Sequence, residues 1–103
     1  MSVSACLCPL CNQIANASDI DMGNRARVYC DQCSIYDITE GGLKEFVSSV
    51  GQARRDELAQ LARDASSGSV LVIIKSANGG VHYEDKESKA DRPAPHWLPE
   101  PAV

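Results

Sequence analysis

Two short stretches decide the fold of this 103-residue chain, Cys8-Pro9-Leu10-Cys11 and Cys30-Asp31-Gln32-Cys33. Each is a Cys-x-x-Cys pair, and 18 residues separate the first pair from the second. Two residues between thiolates let one tight turn present both sulfurs to the same metal ion. Two such turns brought together complete a closed tetrahedron. The spacing therefore predicts one structural Zn²⁺, held by Cys8, Cys11, Cys30 and Cys33.

Other uses of the cysteines explain less of this pattern. A thioredoxin-like redox motif needs one Cys-x-x-Cys and leaves the second pair without a role. Iron takes the same ligands, so a rubredoxin-like centre stays open on spacing alone. Catalytic zinc needs an open coordination position, and neither His82 nor His96 pairs with another ligand at a suitable spacing. The fifth cysteine, Cys6, is interpreted as a spare thiol; the alternative is that it replaces Cys8 or exchanges with the ligand set under oxidation.

The composition fits a small domain that needs a metal site to stabilise its fold. A chain of 103 residues points to one domain, and it has only one Phe, three Tyr and one Trp for its core. Residues 1–11 lack the basic and apolar regions of a secretory signal, so we expect a cytoplasmic protein without lasting disulfides. No apolar run approaches the roughly 18 residues that a membrane span requires.

The charge of the chain disfavours a phosphate backbone as the main partner. Ten Lys and Arg stand against 14 Asp and Glu, which gives a formal net charge of -4. Four thiolates around one Zn²⁺ would make the charge more negative still. Arg54, Arg55 and Arg63 could still form a local basic patch that attracts nucleic acid.

The segments around the second Cys-x-x-Cys predict two strands and two helices. Residues 12–27 are polar and predict an irregular or hairpin excursion between the two pairs. Arg27-Val28-Tyr29 and residues 34–38 alternate as strands and would pair as a hairpin around the cysteines. Thr39 is a good N-cap for a helix whose apolar spacing continues to Val50, and residues 52–65 predict a second helix.

The rest of the chain predicts a hairpin and a tail. The apolar run at 70–74 reads as a buried strand that pairs with 81–84 across a turn at 77–80. We therefore expect an α+β fold: a small zinc-ribbon-like N-terminal part, one or two helices and a C-terminal β-hairpin, in a single domain over 1–84. Residues 85–103 hold four of the five prolines and predict a disordered tail. The alternative is that Trp97 and Leu98 anchor this segment to a partner or to the domain.

Residues 28–39 read Val-Tyr-Cys-Asp-Gln-Cys-Ser-Ile-Tyr-Asp-Ile-Thr. This segment resembles the Val-x-Cys-x-x-Cys-Gly-x-Tyr-x-Ile-Thr pattern of small zinc-ribbon modules at the N-termini of uncharacterised bacterial proteins, which also carry an earlier Cys-x-x-Cys. Ser34 stands where the pattern has glycine. The resemblance implies a bacterial, free-standing recognition module, and only the four ligand cysteines carry over.

These observations predict a non-enzymatic protein. The chain has no nucleophile elbow, metalloprotease, P-loop or dinucleotide motif. The first hypothesis is that a structural Zn(Cys)4 site holds a small domain that binds another protein, through its helical face or its hairpin edge. The alternative is a nucleic-acid-binding zinc-ribbon regulator, with Arg25, Arg27, Arg54 and Arg55 as its basic patch. An exposed strand in the terminal hairpin would also allow a homodimer.

Overall fold

One mixed β-sheet and two short helices make up the computed structural model, which describes residues 4–20, 23–75, 80–85 and 92–99. In chain order the elements are β1 (Ser4–Leu7), β2 (Ile14–Asp19), β3 (Arg25–Cys30), β4 (Ser34–Thr39), α1 (Glu40–Glu45), a 3-10 turn (Val47–Ser49), α2 (Gln52–Arg63), β5 (Ser69–Ile73), β6 (Val81–Asp85) and β7 (Arg92–Pro93). The strands lie in the order β1-β2-β3-β4-β5-β6, and β7 pairs with β2. Of these pairs, β4 with β5 is parallel and the others are antiparallel.

This architecture corrects the predicted fold class. The prediction of an α+β chain, in which a zinc-ribbon-like N-terminal part is followed by helices and a separate C-terminal hairpin, is wrong. β5 and β6 do pair, but β5 also lies parallel to β4, so the hairpin continues the N-terminal sheet. The physical reason is the apolar run: Val70, Leu71, Val72 and Ile73 are all buried, so both faces of β5 are covered as in the interior of a sheet.

Of the two possibilities predicted for residues 12–27, the structure has the hairpin: β2 and the beginning of β3 lie there and pair antiparallel. Ala15 and Ala17 of β2 are buried towards the core, and Asn16 between them is exposed. Alanine and asparagine both have low strand propensity, so this alternation does not resemble a strand in the sequence. The strand forms because β1 and β3 pair with it on either side.

The other predicted elements lie close to their expected positions. β3 and β4 form the hairpin around the second Cys-x-x-Cys, with Cys30 opposite Ser34. Thr39 caps α1, since its Oγ1 accepts a hydrogen bond from the Gly42 amide at 2.9 Å. The first helical stretch divides into α1 and the 3-10 turn, and the second ends at Arg63. Of the turn predicted at 77–80, all but the last residue lies outside the described residues.

The helices pack on one face of the sheet and bury its apolar side chains. α2 lies against β4 and β5. The buried core brings together residues from every layer: Cys6, Cys8, Leu10, Ala15, Ala17, Ala26, Val28, Cys30, Cys33, Tyr36, Ile38, Phe46, Val47, Leu58, Ala59, Ala62, Leu71, Ile73, Trp97 and Leu98. Neither helix in the described ranges is long and apolar enough to cross a membrane.

The described part of the C-terminal segment packs along the β1–β2 side of the sheet. Arg92 and Pro93 form β7 beside β2, and the amide of Leu7 donates to the carbonyl of Pro99 at 2.9 Å. Trp97 is 9% exposed, and its indole Nε1 donates to the carbonyl of Gly23 at 2.7 Å. Trp97 and Leu98 therefore belong to the core of the domain.

The sheet face opposite the helices contains a buried ion pair. Arg27 on β3 and Asp37 on β4 are direct cross-strand neighbours. Arg27 Nε donates to Asp37 Oδ1 at 2.8 Å, and its Nη2 donates to Oδ2 at 3.1 Å. Arg25 flanks this pair and reaches Glu84 on β6 at 3.2 Å. The ion pairs thus connect β3 and β4 to the far edge of the sheet.

Candidate metal centre

The sheet brings the two Cys-x-x-Cys turns to the same end of the molecule. The first turn connects β1 to β2, and the second connects β3 to β4. Because β2 and β3 are antiparallel neighbours, the beginning of β2 lies beside the end of β3. The two turns therefore face each other, although 18 residues separate them in the sequence.

The four cysteines named from this spacing form one cluster. The Sγ atoms of Cys8, Cys11, Cys30 and Cys33 all lie within 4.8 Å of one another, an arrangement that could hold a metal ion. Cys8 Sγ is 3.8 Å from Cys33 Sγ, and Cys11 Sγ is 3.6 Å from Cys30 Sγ. Four sulfurs bound to one Zn²⁺ at about 2.3 Å would be separated by about 3.8 Å. These two distances match that separation, and the other sulfurs lie no more than 4.8 Å from one another.

The backbone of each turn adopts a conformation that serves this clustering. Asn12 and Ser34, which follow the second cysteine of each pair, have positive φ angles of 62° and 71°. In the first turn, the amide of Asn12 donates to the carbonyl of Cys8, and the amide of Cys8 donates to the carbonyl of Gln13, both at 2.8 Å. These bonds close the turn and direct both sulfurs to the same side.

Burial and a tyrosine define the inner side of the cluster. Cys8, Cys30 and Cys33 are buried, and Cys11 is partly exposed. The hydroxyl of Tyr36, fully buried on β4, lies 3.1 Å from Cys8 Sγ. Burial, followed by the negative charge of Cys8, raises the pKa of Tyr36 well above its usual range. Tyr36 therefore stays protonated and donates its hydrogen bond to the sulfur.

The pKa values of three of the clustered thiols shift in different directions. The hydrogen bond with Cys33 is the main cause that lowers the pKa of Cys8 to about 5. The same contact raises the pKa of Cys33 far above its usual range, and burial raises the pKa of Cys11 to about 11. Of these three thiols, only Cys8 has a lowered pKa. A divalent cation would stabilise all four as thiolates, so the donor set fits a metal.

Helix α2 holds both turns from outside. Near its beginning, Gln52 Nε2 donates to the carbonyl of Leu10 at 3.4 Å. At its end, Arg63 Nη1 donates to the carbonyl of Gln32 at 2.8 Å. Leu10 and Gln32 occupy the same position in their turns, directly before the second cysteine. One helix thus spans the cluster and fixes the separation of the two turns.

The structure separates the other candidate ligands from the cluster. Cys6 on β1 is buried, and burial with the neighbouring Cys8 raises its pKa to about 11, so it is an unreactive core thiol. His82 contacts Glu84 on the edge strand β6, and His96 is exposed in the C-terminal segment. Among the described residues, the metal-ligating group consists of the four paired cysteines.

Three residues of the site were missed by sequence reasoning. The role of Tyr36 could have been recognised from the sequence, because it lies on the same face of β4 as other core residues and follows Cys33 closely. No sequence pattern indicated the roles of Gln52 and Arg63, since polar side chains at the ends of an amphipathic helix usually face solvent.

Comparison with known proteins gives no independent identification. Neither the protein-family models, nor the curated proteins, nor the solved structures contain a match to this chain. Of the features expected from the resemblance to zinc ribbons, the structure shows four cysteines clustered within metal-binding distance.

Proposed function

We propose that Cys8, Cys11, Cys30 and Cys33 bind one structural Zn²⁺, and that the domain stabilised in this way binds another protein. The observation that carries the first part is the mutual approach of the four sulfurs within 4.8 Å. A set of four thiolates is typical of closed structural zinc sites, whereas catalytic sites keep one position for water or substrate. Three of the four cysteines are buried, which also favours a structural role.

The position of the cluster explains why the ion would stabilise the fold. It joins the turn between β1 and β2 to the turn between β3 and β4, and α2 bonds to both turns. One ion would therefore hold together four strands and the helix that covers them. Binding free energy at such a site contributes directly to folding.

Charge and exposed apolar side chains support the interaction role. The formal net charge is -4 before any thiolate is counted. Two large hydrophobic side chains are exposed in the described part of the chain, Ile14 at 70% and Tyr83 at 47%. Exposed aromatic residues such as tyrosine are enriched in protein interfaces.

The arginines that the nucleic-acid alternative relies on all make contacts with other residues of the same chain. Arg25 pairs with Glu84, and the buried Arg27 pairs with Asp37. Arg54 pairs with Glu57 and lies over the ring of Phe46, and both Arg55 Nε and Nη2 donate to the carbonyl of Val47. The three carboxylates offset part of the positive charge, and the contacts of Arg55 occupy N–H donors that a phosphate would need. We therefore propose protein binding rather than nucleic-acid binding.

Native mass spectrometry with metal identification tests the metal site. We expect one zinc per wild-type chain and its loss in Cys30→Ser, together with loss of folding. Cys6→Ser is the matched control, because Cys6 is also a buried cysteine in the same core but lies outside the cluster. We expect this variant to keep its zinc. Iron or no metal in the wild-type protein would overturn the structural zinc site.

Affinity capture from the native host tests the interaction role. The wild-type chain and Cys30→Ser serve as baits, and we expect a partner that the metal-bound form alone retains. If wild type and variant capture the same proteins, the interaction role fails. A mobility-shift assay at several salt concentrations completes the test, since steeply salt-dependent binding to DNA or RNA would favour the alternative.

A further inference from the structure

The two edges of the sheet differ in how they are covered. Along β1, the C-terminal segment lies against the edge: the amide of Ala94 donates to Ser4 Oγ, and the amide of Leu7 donates to the carbonyl of Pro99. At the other edge, β6 pairs with β5 on one side and has no neighbouring strand on the other side within the described residues. Unpaired backbone groups on an edge strand are a template for another strand.

The register of β6 identifies the backbone groups that point outwards. Ile73 lies opposite Val81, and the amide of Ile74 donates to the carbonyl of Gly80. In an antiparallel pair, every second residue directs its N–H and C=O towards the neighbouring strand. His82 and Glu84 therefore face β5 with their backbone groups. Val81, Tyr83 and Asp85 direct theirs away from the sheet.

The side chains of β6 protect this edge only by the acidic Glu84 and Asp85. Edge strands are commonly blunted by lysine, proline or a bulge. β6 reads Val-His-Tyr-Glu-Asp and pairs with β5 without a bulge. Its central residue, Tyr83, is 47% exposed, and its hydroxyl donates to the carbonyl of Leu61 on α2 at 2.9 Å. The ring is thus held in place beside the open edge.

We propose that β6 pairs with β6 of a second copy of this chain, antiparallel and centred on Tyr83. A two-fold axis at Tyr83 places Val81 opposite Asp85 of the second copy, and these outward-facing residues form the hydrogen-bonded pairs. The two tyrosines meet as a direct cross-strand pair at the axis. The two sheets join into one continuous sheet, and because the contact is isologous it closes as a dimer.

The polar side chains of β6 are complementary in this register. The same axis places His82 opposite Glu84 of the second copy, and by symmetry Glu84 opposite His82 of that copy. Such non-hydrogen-bonded pairs have the closer approach of side chains, so the imidazole of one copy can donate a hydrogen bond to the carboxylate of the other. Within one chain, His82 Nε2 already contacts Glu84 Oε2. The dimer would therefore gather two histidines and two glutamates on one face of the joined sheet.

This inference goes beyond the proposed function, because a second copy of this chain is not the separate partner protein proposed there. The pairing uses backbone groups of β6, which lies across the sheet from the cysteine cluster in strand order. The proposal of a zinc site and the proposal of a dimer can therefore be refuted independently of each other. The interface is short, so we expect a dimer whose population depends on concentration.

Size-exclusion chromatography with light scattering and native mass spectrometry over a range of concentrations test the proposal. We expect wild type to form a dimer with one zinc per chain. Asp85→Pro removes an outward N–H without removing a bond to β5, so we expect a monomer that retains zinc and the fluorescence of Trp97. Asp85→Ala is the matched control and should remain dimeric.

A second variant tests the complementarity of His82 and Glu84. His82→Glu places like charges opposite each other across the axis, and we expect at least a tenfold weaker dimer with zinc content unchanged. A wild-type protein that stays monomeric at high concentration, or an Asp85→Pro variant that dimerises like wild type, would overturn the pairing. Loss of zinc in a dimeric wild-type protein would overturn the metal site alone.

Discussion

Asn12 and Ser34 occupy equivalent positions in two different hairpin turns and share a left-handed backbone, with φ angles of 62° and 71°. Each follows the second cysteine of a Cys-x-x-Cys pair. Asparagine visits this conformation readily, whereas serine adopts it at a cost of about 1–2 kcal/mol. The second turn therefore stores strain that the first turn largely avoids.

The strain at Ser34 predicts a stabilising substitution. Ser34→Gly should raise the free energy of unfolding by about 1 kcal/mol, because glycine adopts a positive φ without a clash of its Cβ. For a domain of this size, that corresponds to roughly 4–8 °C in the midpoint of a thermal melt. Ser34→Ala, which keeps the Cβ, should bring no gain. Equal midpoints for the glycine and alanine variants would contradict the strain.

Gly42 is predicted to be far less tolerant than its neighbour Gly41. A Cβ at Gly42 would lie 2.5 Å from the carbonyl oxygen of Ile73, whereas one at Gly41 would meet only the flexible side chain of Lys75. Gly42→Ala should cost about 1–3 kcal/mol in unfolding free energy, since α1 would have to move away from β5. Gly41→Ala is the matched control and should be close to neutral. Chemical denaturation of both variants measures the difference.

Breaking the buried Arg27–Asp37 pair should be costly. Asp37→Ala leaves the Arg27 guanidinium buried without its bidentate acceptor, and we expect a loss of about 3–5 kcal/mol in unfolding free energy. Replacing both partners, by Arg27→Met with Asp37→Leu, should recover most of that loss because no charge remains buried.

The control for this experiment is an exposed ion pair. Glu57→Ala removes the partner of Arg54 on the surface of α2, and it should change unfolding by less than about 1 kcal/mol. A double variant at Arg27 and Asp37 that is no more stable than Asp37→Ala would show that the guanidinium charge is not the cause of the loss.

Trp97 should report on the whole domain. It is the single tryptophan of the chain, and its ring lies in the core with its Nε1 bonded to Gly23. Trp97→Ala should cost about 3–5 kcal/mol in unfolding free energy, and Trp97→Phe distinctly less because the aromatic packing is retained. In wild type, denaturation followed by its fluorescence should coincide with that followed by circular dichroism. Separate transitions would contradict its place in the common core.

The four-cysteine cluster could be predicted from the sequence because the geometry of each Cys-x-x-Cys turn is local. Each Cys-x-x-Cys turn determines where two sulfurs point, and the strand pattern after Cys33 predicts a hairpin that presents one of the turns. The continuous sheet could not be predicted in the same way. The parallel pairing of β4 with β5 brings Tyr36 beside Leu71, and nothing near either residue specifies that partner.

The remaining differences between the predicted and the observed structure concern residues whose roles the sequence leaves ambiguous. Gly41 and Gly42 are equally poor helix formers in the sequence, but Gly42 alone allows the close approach of α1 to β5. Arg63 resembles a solvated residue at the end of a helix, yet it bonds to the carbonyl of Gln32 in the second cysteine turn. In both cases the role comes from a contact between distant segments, which local patterns do not contain.

All four cysteines of the cluster precede β5 and α2 in the chain, and this order has a consequence for how the protein is made. During synthesis, residues 4–39 leave the ribosome with every metal ligand present and with antiparallel strands that follow one another directly. Metal capture can therefore come first and supply a preformed edge on β4. The slow step is the long-range closure that brings β5 to that edge, because a loop carrying both helices must be ordered before the parallel pairing forms. If the four cysteines bind Zn²⁺ as proposed, we expect chains made without the ion to complete this closure more slowly.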